Sequence, residues 1–238
     1  MSLDLALVMP VYNEEECVAQ VISSWREMLA GLRVTFRMIV LDDGSQDGTA
    51  GQLETFRGDA NIEIIRHANI GHGPTILRGY RRASELSEWV FHSDSDGEIS
   101  PLHFPDFWHN RLPYDAVLGV RRHRSRGFAR KVVSRAARLV VQMAFGGGVR
   151  DVNVPYRLMR SSLVGQLVTR IPADTFAPNV IISGAIVRSG VRFLEIPVPC
   201  EGRRSGTVSI AKWRLWKAAA LSLRQTLSCR PAIVRDAR

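Results

Sequence analysis

Three short apolar runs in the first hundred residues each break off in polar turn residues, and this pattern constrains the fold more than any other feature of the chain. Leu3 to Pro10 leads into Tyr12-Asn13-Glu14, Phe36 to Leu41 into Asp42-Asp43-Gly44-Ser45, and Trp89 to His92 into Ser93-Asp94-Ser95-Asp96-Gly97. Runs this short and this apolar read as buried strands. Ile62 to Ile65 adds another, and helical patterns lie between them at Glu14 to Leu32, from Asp47-Gly48 to about Phe56, and at Thr75 to Leu86. Strands alternating with helices predict an α/β fold with a mostly parallel central sheet flanked by helices. Ligands of such sheets bind beyond the carboxyl ends of the strands, so Asn13, Asp43 and Asp96 are expected near one another.

Beyond Pro101 the order changes. A strand at Ala116 to Gly119, a basic loop from Arg121 to Arg130 and a long helix from about Lys131 to Phe145 are expected, ended by Gly146-Gly147-Gly148. Strands follow at Tyr156 to Arg160 and Val191 to Val198, then a last helix from Ser209 to Ser228. A chain of 238 residues that is 45% hydrophobic suits one domain, residues 1–228, with two halves (1–100 and 101–228) and a tail at 229–238. The halves differ in charge: 8 basic and 16 acidic side chains before residue 101, 24 basic and 7 acidic after it. All but three of the basic residues are arginines, whose planar fork suits bidentate phosphate contact. No apolar run approaches the roughly 18 residues a bilayer span needs and no signal core is evident, so a cytoplasmic location is expected. Cys17, Cys200 and Cys229, odd in number and widely spaced, argue against a disulfide framework or a zinc site.

Asp94-Ser95-Asp96 places two carboxylates one residue apart on a turn, where both can approach a hard divalent cation bridging a nucleotide diphosphate. Asp42 and Asp43 can accept hydrogen bonds from a base or ribose, while Ser45 or Asp47 also suits a helix cap. The Pro10 to Glu14 turn lacks the glycines of a dinucleotide-binding fingerprint, and the chain has no Walker phosphate loop. Gly71-His72-Gly73 suits either a ligand-approaching turn or an ordinary loop, and His72 has no assigned role.

Pro10-x-Tyr-Asn-Glu, Asp42-Asp43-Gly-Ser-x-Asp-Gly-Thr, Asn69-x-Gly71, Asp94-x-Asp96 and Arg150-Asp151-Val152-Asn153-x-x-Tyr156-Arg157 stand in an order that resembles dolichyl-phosphate mannosyltransferase-like glycosyltransferases of family 2, over about residues 4 to 210. The resemblance implies the nucleotide-diphospho-sugar transferase (GT-A) fold. It also implies an inverting, Mg²⁺- or Mn²⁺-dependent transfer from a nucleotide-sugar to a polyprenyl phosphate. Pro10, Tyr12, Glu14 and Asp43 would hold the nucleoside, with Asp42 and Ser95 beside them; Asp94 and Asp96 would hold the metal and diphosphate, with Glu98 as a further metal ligand; Arg121 would meet the phosphates. Two departures stand out. Glu98 occupies a place where Gln is common, and the family's late lysine has no counterpart, leaving Arg203 or Arg204 in its stead.

A hydroxyl acceptor needs a general base, and between Ala116 and Cys200 the only acids are Asp151, Asp174 and Glu195. A phosphate acceptor is already ionised and needs positive charge instead, which fits the basic half. The last helix carries Trp213, Trp216, Ala220, Leu223 and Leu227 on one stripe flanked by Arg214, Lys217 and Arg224, a pattern open to a membrane-interface role or to core packing. The alternatives are a same-fold transferase acting on a saccharide hydroxyl and a non-catalytic anion- or membrane-binding module; no nucleic-acid partner is expected.

Overall fold

The computed structural model describes residues 2–123, 147–200, 224–226 and 228–229. The amino-terminal half runs β1 (Leu3–Val11), α1 (Val18–Gly31), β2 (Phe36–Asp42), α2 (Thr49–Glu54), β3 (Ile62–Arg66), α3 (His72–Leu86) and β4 (Ser87–Ser93). After it come α4 (Phe104–His109), β5 (Ala116–His123), β6 (Tyr156–Arg160), α5 (Ser161–Val168), α6 (Pro178–Arg188) and β7 (Phe193–Cys200). The seven strands form one sheet in the order β3-β2-β1-β4-β6-β5-β7. Only β6 runs against the rest, pairing antiparallel with β4 on one side and β5 on the other.

Leu5 to Met9 of β1 are wholly buried, as a central parallel strand covered on both faces requires. Alternate residues feed two cores. Ala6, Val8, Ile39 and Leu41 meet α3, α5 and α6, whereas Leu5, Leu7, Met38 and Val40 meet Ile22, Trp25 and Leu29 of α1 and Phe104 and Phe107 of α4. This two-sided alternation decides below which carboxylates reach the site.

Several elements differ from the sequence reading. Helix α1 starts at Val18 rather than Glu14, because Asn13 takes a left-handed φ of 53° and the Glu14 N–H is held by Thr49 Oγ1. Residues 121–123, expected in a basic loop, extend β5 along β7. Helices α4, α5 and α6 were not expected. The long helix at 131–145, Arg203, Arg204, Trp213 and Trp216 lie outside the described residues; of the last helix, 224–226 and 228–229 are described and helical. No helix among the described residues is long and apolar enough to cross a membrane.

Candidate active site

The turns after β1 and β2 are stapled together by short polar side chains. Asn13 N–H donates to Ser45 Oγ at 3.0 Å, Asn13 Oδ1 accepts Gln46 N–H at 2.9 Å, and Glu14 N–H donates to Thr49 Oγ1 at 2.8 Å. Glu15 N–H donates to Asp47 Oδ2, and Glu15 Oε2 accepts Gly48 N–H at 2.6 Å. Gly44 has a φ of 72° and lies so close to Asn69 N that a Cβ would stand 2.7 Å from it, so the turn closes only around glycine.

Asp43 ties this platform to α3. Its Oδ1 accepts Ile70 N–H at 2.7 Å and its Oδ2 accepts Gly71 N–H at 3.0 Å. Asp42, one residue earlier, continues the row of Met38 and Val40 toward the opposite face. There it accepts Ser45 N–H at 2.9 Å and faces Arg66 Nε at 3.2 Å. The structure therefore does not bring Asp42 to the cavity that Asp43 lines: strand alternation sends neighbouring side chains to opposite faces.

That cavity, of about 320 Å³, is bounded by Pro10, Tyr12 and Glu14 from the first turn, Asp43 from the second, Gly71, His72 and Thr75 from α3, and Asp94, Ser95 and Asp96 from the fourth. The tyrosine ring is 41% exposed and free to stack on a flat ligand, while Glu14 is buried and accepts the Cys17 thiol at 3.3 Å. Asp96 Oδ1 accepts the Glu98 N–H at 3.0 Å, which closes the turn and leaves both aspartates on the cavity wall.

Asp94 is bracketed by two histidines: buried His92 stands with Nε2 3.5 Å from Asp94 Oδ1, and exposed His72 with Nε2 3.8 Å from the same oxygen. Burial pushes the Asp94 pKa up, but the contact with His92 and the electrostatic pull of His72 and Arg121 outweigh it, and the carboxyl stays below its ordinary value. Burial pulls the His92 imidazole below its usual pKa, against the opposing pull of Asp94.

Among the described residues no three His, Cys, Asp or Glu side chains gather as a metal cage. Two carboxylates on one turn, hard oxygen donors beside a cavity of nucleotide size, fit the other mode, in which substrate phosphates and water complete the shell of Mg²⁺ or Mn²⁺. Glu98 is absent from the cavity lining; its charge instead helps hold Arg121 ionised.

Arg121 makes a two-point ion pair with Asp151, Nε to Oδ2 at 2.8 Å and Nη2 to Oδ1 at 3.0 Å. Asp151 sits at the start of a loop pinned by the wholly buried Arg157, which donates to the carbonyls of Val154 and Asn179 at 2.8 to 3.2 Å. The structure thus gathers Pro10, Tyr12, Glu14, Asp43, Asp94, Ser95 and Asp96 on one cavity. It places Asp42, Glu98 and the Arg121–Asp151 pair outside its lining. His72 and Thr75 line the cavity and His92 stands buried behind Asp94, all three left unassigned by the sequence; the only signal for His72 was its position in Gly71-His72-Gly73.

Comparison with known proteins agrees with this layout. Residues 6–168 match the model of glycosyl transferase family 2. Relatives similar in sequence include the undecaprenyl-phosphate 4-deoxy-4-formamido-L-arabinose transferases of Yersinia pestis, 27% identical over 89% of this chain and 64% of that protein, and of Proteus mirabilis, 29% identical over 85% and 61%. The chain thus spans under two thirds of the length of these relatives. Among solved structures, glucosyl-3-phosphoglycerate synthase from Mycobacterium tuberculosis with Mn²⁺, UDP and glucosyl-3-phosphoglycerate superposes with a TM-score of 0.70 at 18% identity, covering 96% of this chain and 80% of that one. Mannosyl-3-phosphoglycerate synthase from Rubrobacter xylanophilus does so with a TM-score of 0.65 at 14% identity, over 94% and 72%. With the strand order, the cavity at the strand ends and a family match over most of its length, the chain belongs to glycosyl transferase family 2 and has its α/β GT-A fold.

Proposed function

We propose that the protein transfers a sugar from a nucleotide-sugar to a polyprenyl phosphate, with inversion at the anomeric carbon, at the cytoplasmic face of a membrane with which it makes peripheral contact. In this reading Tyr12 stacks on the base and Asp43 accepts from base or ribose. Asp94 and Asp96 hold a divalent cation against the diphosphate; when bound, the cation neutralises the leaving group's charge, an effect worth several kcal/mol in such sites. Pro10 and Glu14 shape the nucleoside end of the cavity. The acceptor oxygen attacks the anomeric carbon as its bond to the diphosphate breaks.

One observation favours a phosphate over a hydroxyl acceptor: neither candidate general base is available at the cavity, since Asp151 is bound at both oxygens by Arg121 and Asp174 lies exposed and outside the lining. Glu195 is likewise engaged, with Oε1 on Arg150 N–H at 2.6 Å. A phosphate nucleophile needs no base. The undecaprenyl-phosphate acceptor in the names of the sequence relatives supports the same choice. Incubation with a panel of nucleotide-sugars, Mn²⁺ or Mg²⁺ and a short-chain polyprenyl phosphate, in competition with a free sugar and with 3-phosphoglycerate, tests it. The reading expects a glycosylated lipid phosphate by mass; a glycosylated sugar or glycerate with no lipid product would overturn it.

A further inference from the structure

We infer that His92 is a positioning residue of the donor site, holding one oxygen of Asp94 so that the remainder of the carboxylate is presented to the metal and diphosphate of the bound nucleotide. The inference rests on the role proposed above for Asp94.

His92 and Asp94 lie two residues apart on the same side of the β4 end, in line with Val90, so the strand itself delivers the imidazole to the carboxylate. The His92 side chain has no solvent exposure, and Asp94 Oδ1 is buried although the side chain as a whole is 29% exposed. What Asp94 shows to the cavity is therefore carried by its other atoms. Neither His92 Nε2 nor Asp94 Oδ1 has a hydrogen-bond partner among the described residues, and the two atoms face each other across a gap of 3.5 Å. Leaving such atoms unpaired in a buried place is costly. A leucine or phenylalanine would fill the position without that cost, so packing gives no reason for an imidazole here. Orienting a carboxylate does.

The far side of the ring is held in place. Tyr80 of α3 puts its hydroxyl 3.1 Å from His92 Nδ1, and Asn179 of α6 puts its amide nitrogen 3.5 Å from the same atom. The Tyr80 and His92 rings meet edge to face, with centroids 5.6 Å apart at 87°. The Tyr80 hydroxyl donates its proton to Asn179 Oδ1 at 3.1 Å, so the donor that faces Nδ1 is the Asn179 amide. With Nδ1 as acceptor the ring proton sits on Nε2, whereas the other tautomer would aim a lone pair at a carboxylate. The Nε2 donor is thus already directed at Oδ1. A shift of a few tenths of an ångström brings it into bonding range, the kind of tightening that accompanies ligand binding. Residues that orient a metal-binding carboxylate in this way typically change metal affinity by about 10- to 100-fold when replaced.

Two substitutions separate this role from simple packing. In His92→Gln the amide nitrogen reaches the place of Nε2; in His92→Asn it reaches only the place of Nδ1, keeping the contact with Tyr80 and losing the donor to Asp94. Calorimetric titration of each full-length protein with UDP, GDP, CDP and dTDP, with and without Mn²⁺, is paired with a thermal melt. The inference expects the best wild-type nucleotide to bind His92→Asn about 10- to 100-fold more weakly in Mn²⁺, with unchanged affinity without it, and His92→Gln to recover most of the loss. Mn²⁺-dependent affinity of wild-type strength in His92→Asn overturns it, as does an equal loss with and without Mn²⁺ that follows the melting temperature. A His92→Gln protein that melts like wild type yet binds as poorly as His92→Asn overturns it too. If the wild type binds none of the nucleotides more tightly with Mn²⁺, the donor-site reading itself falls, and this inference with it.

Discussion

Arg121 and Asp151 are locked to each other by two hydrogen bonds of 2.8 and 3.0 Å, with side chains only 16% and 14% exposed. Arg121 thereby stays ionised although burial pulls its pKa down, because its bonds to Asp151 and the negative charges of Asp151, Glu98 and Asp94 outweigh that pull. Arg121 was expected to meet phosphate, and Asp151 to serve as a base only if the acceptor were a hydroxyl; the pair constrains both readings. Removing one partner strands a charge in a poorly hydrated place. Asp151→Ala should lower stability by about 3 kcal/mol in urea denaturation, and Arg121→Met/Asp151→Ala should recover part of the loss. Additive losses in the double-mutant cycle would show that the two do not depend on each other.

Asp43→Asn addresses the joint between β2 and α3. An amide has one acceptor oxygen, so it can keep only one of the bonds from Ile70 N–H and Gly71 N–H. A stability loss of about 1 to 2 kcal/mol is expected, together with weaker nucleoside diphosphate binding, while the ratio of affinities with and without Mn²⁺ is kept. Unchanged nucleotide affinity in calorimetry would confine Asp43 to holding the loop.

Much of the donor half is legible in the sequence because its signals are local: apolar runs that stop at Tyr12, Asp43 and Asp94 mark strand ends, and strand ends of a parallel sheet share one edge. What escapes notice depends on distant partners or on lost contrast. Tyr80 and Asn179 meet His92 from positions 12 and 87 residues away in the chain, which no local pattern encodes. Helix α6 is buried from Pro178 to Ile186, so it has no polar face to give a helical period. The Asp42-Asp43 pair reads as one unit in sequence, yet the pleat sends its two carboxylates to different faces.

Asp96→Ala tests the metal assignment kinetically. Loss of a group that holds the cation on the leaving diphosphate should slow turnover roughly a thousand-fold, with a much smaller change in the affinity for nucleotide in the absence of metal. Undiminished turnover, or full wild-type activity in excess chelator, would contradict it.

Asp47 gives the fold an acid-side dependence. Burial raises its pKa, but hydrogen bonds from the Thr49 hydroxyl and N–H and from the Glu15 N–H outweigh that and hold it below the ordinary carboxylate value. A depressed folded-state pKa contributes stability that is complete above the unfolded value of about 3.9 and disappears as pH falls through the folded one. The Asp47 contribution is thus expected to be constant from about pH 5 to 8 and to fade below about pH 4. Asp47→Asn should cost about 1 kcal/mol at neutral pH and flatten the acid slope of the urea midpoint. An unaltered slope would assign the acid sensitivity to other carboxylates.

The most direct measurement for the account as a whole is a crystal structure with a nucleoside diphosphate and Mn²⁺ bound. It should show the base against Tyr12 and within hydrogen-bond reach of Asp43, and the diphosphate with its cation at Asp94 and Asp96, inside the cavity of about 320 Å³. A nucleotide seated instead in the larger cavity of about 600 Å³ between α1 and Ile99 to Leu102, or a cation that touches neither aspartate, would contradict it.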